Sequence, residues 1–132
     1  MTGDYPCALT DAFEAREIDN TMFRHEQHVR VAYHMLRRYD FTDAATRYAQ
    51  GIRELAAAAG APEKFNVTIT FAFMSLIAER MADTAATDYD AFLKNNPDLL
   101  SKECLSSFYS KARLASDTAR VMFLLPDIGK AA

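Results

Sequence analysis

The chain predicts an all-α fold, a compact single-domain bundle of about five to seven helices, several of them short, on three observations. Apolar residues recur at helical spacing over most of its length, and capping and stop residues punctuate it from end to end. No alternation of polar and apolar residues persists long enough for a convincing strand. Thr10 through Ala15 reads as a short first helix capped by Thr10, and Asn20 or Thr21 can cap a second helix running to about Tyr39. After a very short link through Asp40 and Phe41, Thr42 caps a third helix. Its one face carries Ala45, Tyr48, Ala49, Ile52, Leu55, Ala56 and Ala59. Gly60 and Pro62 stop that helix, and so short a link makes the second and third an antiparallel hairpin.

A fourth helix starts near Asn66 and extends to about Met81. Its β-branched start, Val67 to Thr70, also fits a strand, but Ile69, Phe73, Leu76, Ile77 and Arg80 continue a helical spacing. Residues 82–87 form a polar, small-residue loop, and Asp88 caps a short helix that Asn95-Asn96-Pro97 ends. Pro97 can open a further turn, and helical pieces follow at 102–109 and 116–123, with Ser116 as a strong start and Pro126 as the end. Residues 1–8 and 127–132 are expected to be flexible tails of the single domain 1–132. Gly51, in mid-helix, is expected to permit close packing.

Composition removes several classes. The 132 residues suit one domain, and a 50% hydrophobic share is ample for a packed interior. With 15 basic against 18 acidic residues and no basic block, nucleic acid is not an expected partner. Apolar runs are far too short to span a bilayer, and the first residues lack the basic and apolar regions of a signal peptide. Cys7 and Cys104 form no CxxC pair, which fits reduced thiols in a cytoplasmic protein.

His25 and His28 are the most informative residues. One helical turn apart, they share a stripe with Val29, Ala32, Leu36 and Tyr39, while His34 falls opposite. Two imidazoles on an apolar stripe can move protons, share a metal ion, or be satisfied core residues. For zinc or non-haem iron they need a further His or carboxylate, and His34 cannot supply it. Glu26 sits about 100° round the helix from His25. Asp11, Glu14, Glu79 and Asp117 remain as candidates, none at a diagnostic spacing. Asn66 and Thr70 place a polar end on an otherwise apolar face. They are either a cap and a local back-bond or one wall of a pocket where the second and fourth helices meet. Tyr109 and Arg113 are candidates to hold substrate or developing negative charge, against a structural role fastening the C-terminal segment. The phenylalanines Phe13, Phe23, Phe65, Phe71, Phe73, Phe92, Phe108 and Phe123 are expected to be mainly core, and Tyr33, Tyr39, Tyr48 and Tyr109 are candidate pocket residues.

Several pieces recur together: Phe23-x-His25-x-x-His28, Gly60-Ala61-Pro62, Thr68-Ile69-Thr70, Asn96-Pro97-Asp98-Leu99-Leu100 and Tyr109-Ser110 through Arg120. On these the chain, from about Phe13 to Asp127, resembles a family of small bacterial helical proteins of unassigned function. That family carries Tyr-His-Glu ahead of Thr-Ile-Thr, where this chain has Phe65-Asn66-Val67. The resemblance implies two histidines from one helix and a His and a Glu from another, a metal or acid-base set. Here the second contribution is one neutral amide, a poor transition-metal ligand. The site has then lost a metal and works by hydrogen bonding and histidine proton transfer, or it is not catalytic.

The expectation drawn from these residues is a small-molecule-binding helical protein. It is read as a metal-independent acid-base enzyme of isomerase, cyclase or lyase type, with His25 and His28 catalytic and Asn66, Thr70, Tyr109 and Arg113 binding substrate. No cofactor is expected. The alternatives are a divalent transition metal held by His25 and His28, or a non-catalytic helical interaction module; a homodimer fits either.

Overall fold

In a computed structural model, which describes residues 4–84 and 88–128, seven α-helices and three 3-10 turns follow one another with no strand among the described residues. The helices are α1 (Asp4–Glu14), α2 (His25–Arg38), α3 (Phe41–Ala58), α4 (Val67–Asp83), α5 (Tyr89–Asn95), α6 (Lys111–Leu114) and α7 (Asp117–Val121). The 3-10 turns are Asn20–Met22, Pro62–Lys64 and Pro97–Leu100. The all-α expectation holds. Residues 1–3, 85–87 and 129–132, which include the ends of both expected tails and part of the loop before Asp88, lie outside the described residues.

Helix α2 is the axis of the molecule. It touches α1, α3, α4, α5 and the Pro97–Leu100 turn, and Val29, Val31, Ala32, Tyr33 and Met35 are all buried. Those positions span a little more than half of the helix circumference and leave one polar face, which carries Glu26, Gln27, Arg30, His34, Arg37 and Arg38. Tyr39 and Asp40 link it to α3, whose cap is the Asp40 carboxylate accepting from the Asp43 amide at 2.9 Å. Thr42 is therefore inside the helix, because the aspartate two residues earlier is the better acceptor for the free amides. Gly60 adopts φ 75° and ends α3, as its position predicts. Gly51 faces the ring of Phe13 on α1 so closely that a Cβ would collide with it.

Other boundaries differ from expectation for local reasons. Helix α1 starts at Asp4, so Thr10 lies in mid-helix, fully buried, and its hydroxyl has no hydrogen-bond partner among the described residues. Asn20 and Thr21 belong to a separate 3-10 turn capped by Asp19, and α2 begins only at His25, where the Gln27 side chain accepts from the Arg24 amide at 2.9 Å. Asn66 caps α4 through the Ile69 amide at 2.9 Å, and Asp88 caps α5 through the Ala91 amide at 2.9 Å. Residues 102–109 form consecutive turns, not a helix. Leu105 and Tyr109, four residues apart and both buried, imitate helical spacing there. Ser116 caps α7 as expected.

After α7 the chain runs extended over α4. The buried hydroxyl of Thr68 donates to the Met122 carbonyl at 2.7 Å and accepts from the Leu124 amide at 3.0 Å. Asp127 accepts from the amide and hydroxyl of Ser110 at 2.8 and 2.6 Å, and the Ile128 amide reaches the Phe108 carbonyl at 2.9 Å. Residues 127 and 128 are thus tied to the body. Phe108 and Phe123, expected in the core, are exposed at 40% and 47%; around Phe123 the late segment meets Thr68 of α4 through the backbone of Met122 and Leu124. No helix of the described residues is long and apolar enough to cross a membrane.

Candidate functional site

A cleft of about 720 Å³ opens where the starts of α2 and α4 meet α3 and the turns after α5, and His25, His28, Asn66 and Thr70 all line it. The spacing that puts both imidazoles on one stripe of α2 aims them at this gap. Phe23, Ile52, Ile69, Phe73 and Leu105 form its apolar wall, and Arg24, Glu26, Lys64, Lys102 and Cys104 complete it.

The two histidines are held in different ways. His25 Nε2 lies 2.8 Å from the backbone oxygen of Leu99. A carbonyl only accepts, so Nε2 carries the hydrogen, and in the neutral ring Nδ1 keeps a lone pair. That Nδ1 has no protein hydrogen bond among the described residues and is not sealed from solvent. The ring packs against Phe73, centroid to centroid 5.7 Å.

His28 stands one turn further on, its Nδ1 3.2 Å from the hydroxyl of Tyr48 on α3 and its ring 4.6 Å from that of Phe23. Burial pushes the Tyr48 phenol far above its ordinary range, so it stays protonated. A phenol donating to an imidazole nitrogen is the stronger of the two arrangements this contact allows. It leaves Nε2–H of His28 as a donor. Burial, and then the neighbouring His25, push the His28 imidazole down to about 4, so it is neutral at physiological pH. Both rings line the cleft, and in their neutral forms these contacts leave a lone pair on His25 Nδ1 and an N–H on His28 Nε2.

Asn66 is a wall whose groups are already committed. Its oxygen caps α4 and its nitrogen donates to the Leu114 carbonyl at 2.8 Å. Thr70 is buried and its hydroxyl makes no hydrogen bond among the described residues, so it is the free polar group on that side. The Cys104 thiol, half-buried and pushed up by burial, stays protonated and is a weak nucleophile.

Tyr109 and Arg113 are not in the cleft. The Tyr109 hydroxyl donates to the Leu124 carbonyl at 2.8 Å and Arg113 Nε to the Leu125 carbonyl at 2.7 Å. An extended tail carries carbonyls that no helix satisfies, and these two side chains satisfy them. Of the two roles that the sequence left open, the structure places both in the fastening one and outside this cleft. Glu26 is also drawn elsewhere, accepting from Arg30 at 3.0 Å, Tyr89 at 2.9 Å and Gln27 at 3.1 Å. Asp11 and Glu14 pair with Arg38 at 2.6 and 2.7 Å, and Glu79 and Asp117 lie outside the cleft. No group of three or more His, Cys, Asp or Glu side chains gathers among the described residues.

His34, in the second half of α2, lies on the polar face but is half-buried. Its ring meets Tyr33 at 5.1 Å and Tyr89 at 6.1 Å, and its buried Nε2 has no hydrogen-bond partner among the described residues. Burial, then Arg30, Arg37 and Arg38, push it down to about 4 as well. Of the residues that matter at the cleft, sequence reasoning left Tyr48 among four tyrosines and did not single out Arg24, Lys64 or Lys102. Tyr48 sits three residues from Ala45 and four from Ile52 on the core stripe of α3, which is the signal that could have selected it. Comparison with known proteins finds no matching family model, no matching curated protein and no matching solved structure.

Proposed function

We propose that this protein binds a small organic molecule in the α2–α4 cleft and catalyses proton transfer on it, as an isomerase, cyclase or lyase does. The observation that supports this reading is that His25, held through Nε2 by the Leu99 carbonyl, and His28, held through Nδ1 by the Tyr48 hydroxyl, line one cleft, which in the neutral rings leaves a lone pair on His25 Nδ1 and an N–H on His28 Nε2. In this mechanism His25 Nδ1 removes a proton from a carbon next to a carbonyl. His28 Nε2–H hydrogen-bonds the oxygen on which negative charge develops, and His25 then returns the proton to a neighbouring atom. A neutral imidazole suits the second role, because it donates without first attracting a counter-charge. Thr70 orients the substrate, and the apolar wall of Phe23, Ile52, Phe73 and Leu105 excludes water from the reacting atoms. In a metal-binding reading the same two rings would give two donors, and a substrate atom or water would complete the ion.

The test is deuterium wash-in. The protein is incubated in D2O with a panel of keto acids and cyclic enones, and exchange at carbon is followed by mass spectrometry, with and without a chelator. The reading expects exchange on at least one compound, insensitive to chelator and abolished in His25→Asn or His28→Asn variants that remain folded. Exchange that survives in both variants sinks it. Exchange lost with the chelator replaces it with the metal reading.

A further inference from the structure

The charges around the cleft carry one more step. The whole chain is acidic, 18 acidic against 15 basic residues, yet the side chains lining the cleft include three cations, Arg24, Lys64 and Lys102. None of the three makes an ion pair among the described residues. Outside the cleft Arg16, Arg30, Arg38, Arg47, Arg80 and Arg120 each have a carboxylate within 4.0 Å, while Arg53, Lys94, Lys111 and Arg113 make no ion pair among the described residues but do not share one concave surface. The lining holds a single carboxylate, Glu26, and that one is committed to Arg30, Tyr89 and Gln27. The 14-residue helix α2 also begins here, and its first intrahelical bond is made only by the His28 amide, so its positive end adds to the same field.

We infer that the substrate is an organic anion, a molecule with an apolar ring or chain and one carboxylate or phosphate group. Its body lies against Phe23, Phe73, Ile52 and Leu105, and its charge among Arg24, Lys64 and Lys102. The inference rests on the proposed use of the cleft and adds the chemical class of what enters it. Three like charges on one concave surface repel one another, and a bound anion relieves that repulsion while its apolar part displaces water from the aromatic wall. A neutral ligand would gain only the second effect.

The experiment uses 2-naphthoate, 2-naphthyl phosphate and the neutral naphthalene-2-carboxamide, with binding by calorimetry and the His25 and His28 ring signals by NMR. At low ionic strength at least one anion should bind about fivefold or more tighter than the amide. That preference should shrink as salt shortens the screening length from about 30 to about 8 Å. The exposed pair Lys64→Gln/Lys102→Gln should weaken the anion by roughly fivefold and leave the amide unchanged, whereas Lys94→Gln on α5 should change neither. A preference for naphthoate over the phosphate, or the reverse, identifies which anionic group is taken. Equal affinity for amide and anions, with shifts at both histidines, overturns the anion inference and leaves the proton-transfer reading standing. An anion whose affinity ignores the double variant, or no probe that shifts either histidine, also overturns it. The proton-transfer reading is then decided separately by wash-in.

Discussion

The two ends of α2 hold imidazoles whose protonation is suppressed in the same way. His28 and His34 are each pushed down to about 4, with burial as the leading cause. Their surroundings differ. His28 has a fixed partner in Tyr48 and opens onto a cleft shared with His25 and Thr70. His34 is half-buried against Tyr33 and Tyr89, and its Nε2 has no hydrogen-bond partner among the described residues. A perturbed titration therefore does not by itself mark a site. Space beside the ring and an ordered second group do.

The largest effect that separates the two ends is on rate. Removing either cleft imidazole, in His25→Asn or His28→Asn, is expected to lower deuterium wash-in by about 10²- to 10⁴-fold, while His34→Asn leaves it within about twofold. Equal losses at all three positions would mean the contrast is one of stability alone.

Acid stability comes next. The unfolded chain protonates these imidazoles near 6.5, and the folded chain holds His28 and His34 down to about 4. Between those values the unfolded state binds more protons, so stability is complete above about pH 6.5 and falls as pH drops toward 4. For His28, with allowance for its opening to the cleft, the loss is about 2 kcal/mol. Urea midpoints measured at pH 7 and pH 4.5 should converge in His28→Asn relative to the parent chain.

A smaller contrast lies in isosteric replacement at pH 7. His28→Phe strands the buried Tyr48 hydroxyl and should cost about 1–3 kcal/mol. His34→Phe removes a nitrogen that has no partner and should be neutral or stabilising by about 1 kcal/mol. Both are read from urea unfolding. A costly His34→Phe would show that Nε2 is satisfied in solution.

The same contrast explains what could be read before the fold was known. Asn66, Asp88 and Ser116 were legible as caps, Gly60 as a stop and Gly51 as a close approach, because each acts on its immediate neighbours. The histidine pair followed from helical spacing, while the meeting of α2 with α4 was one of two readings that spacing left open for Asn66 and Thr70. Sequence could not choose between the substrate and fastening roles of Tyr109 and Arg113, because their partners are carbonyls of an extended tail, which has no periodicity to announce where it runs. His34 could not be placed by counting round α2, since a tyrosine from α5 closes over the outer face. The unpaired cations of the cleft were invisible for a related reason: a lysine lacks a partner only once every carboxylate has been located.

The smallest effect sets the cleft against the tail. Arg113→Ala should lower stability by roughly 1 kcal/mol through the lost bond to Leu125 and leave wash-in unchanged. A rate loss without a stability loss would return Arg113 to the substrate.

Nitrogen-15 NMR titration of the three imidazoles tests the central claim most directly. The account predicts that His28 stays neutral to about pH 4 with the hydrogen on Nε2, and that His25 also carries its neutral-state hydrogen on Nε2. Adding a ligand that enters the cleft should shift both rings and leave His34 unmoved. A His28 that titrates near 6.5, or carries its hydrogen on Nδ1, would contradict the pairing of lone pair and N–H on which the proposed chemistry stands.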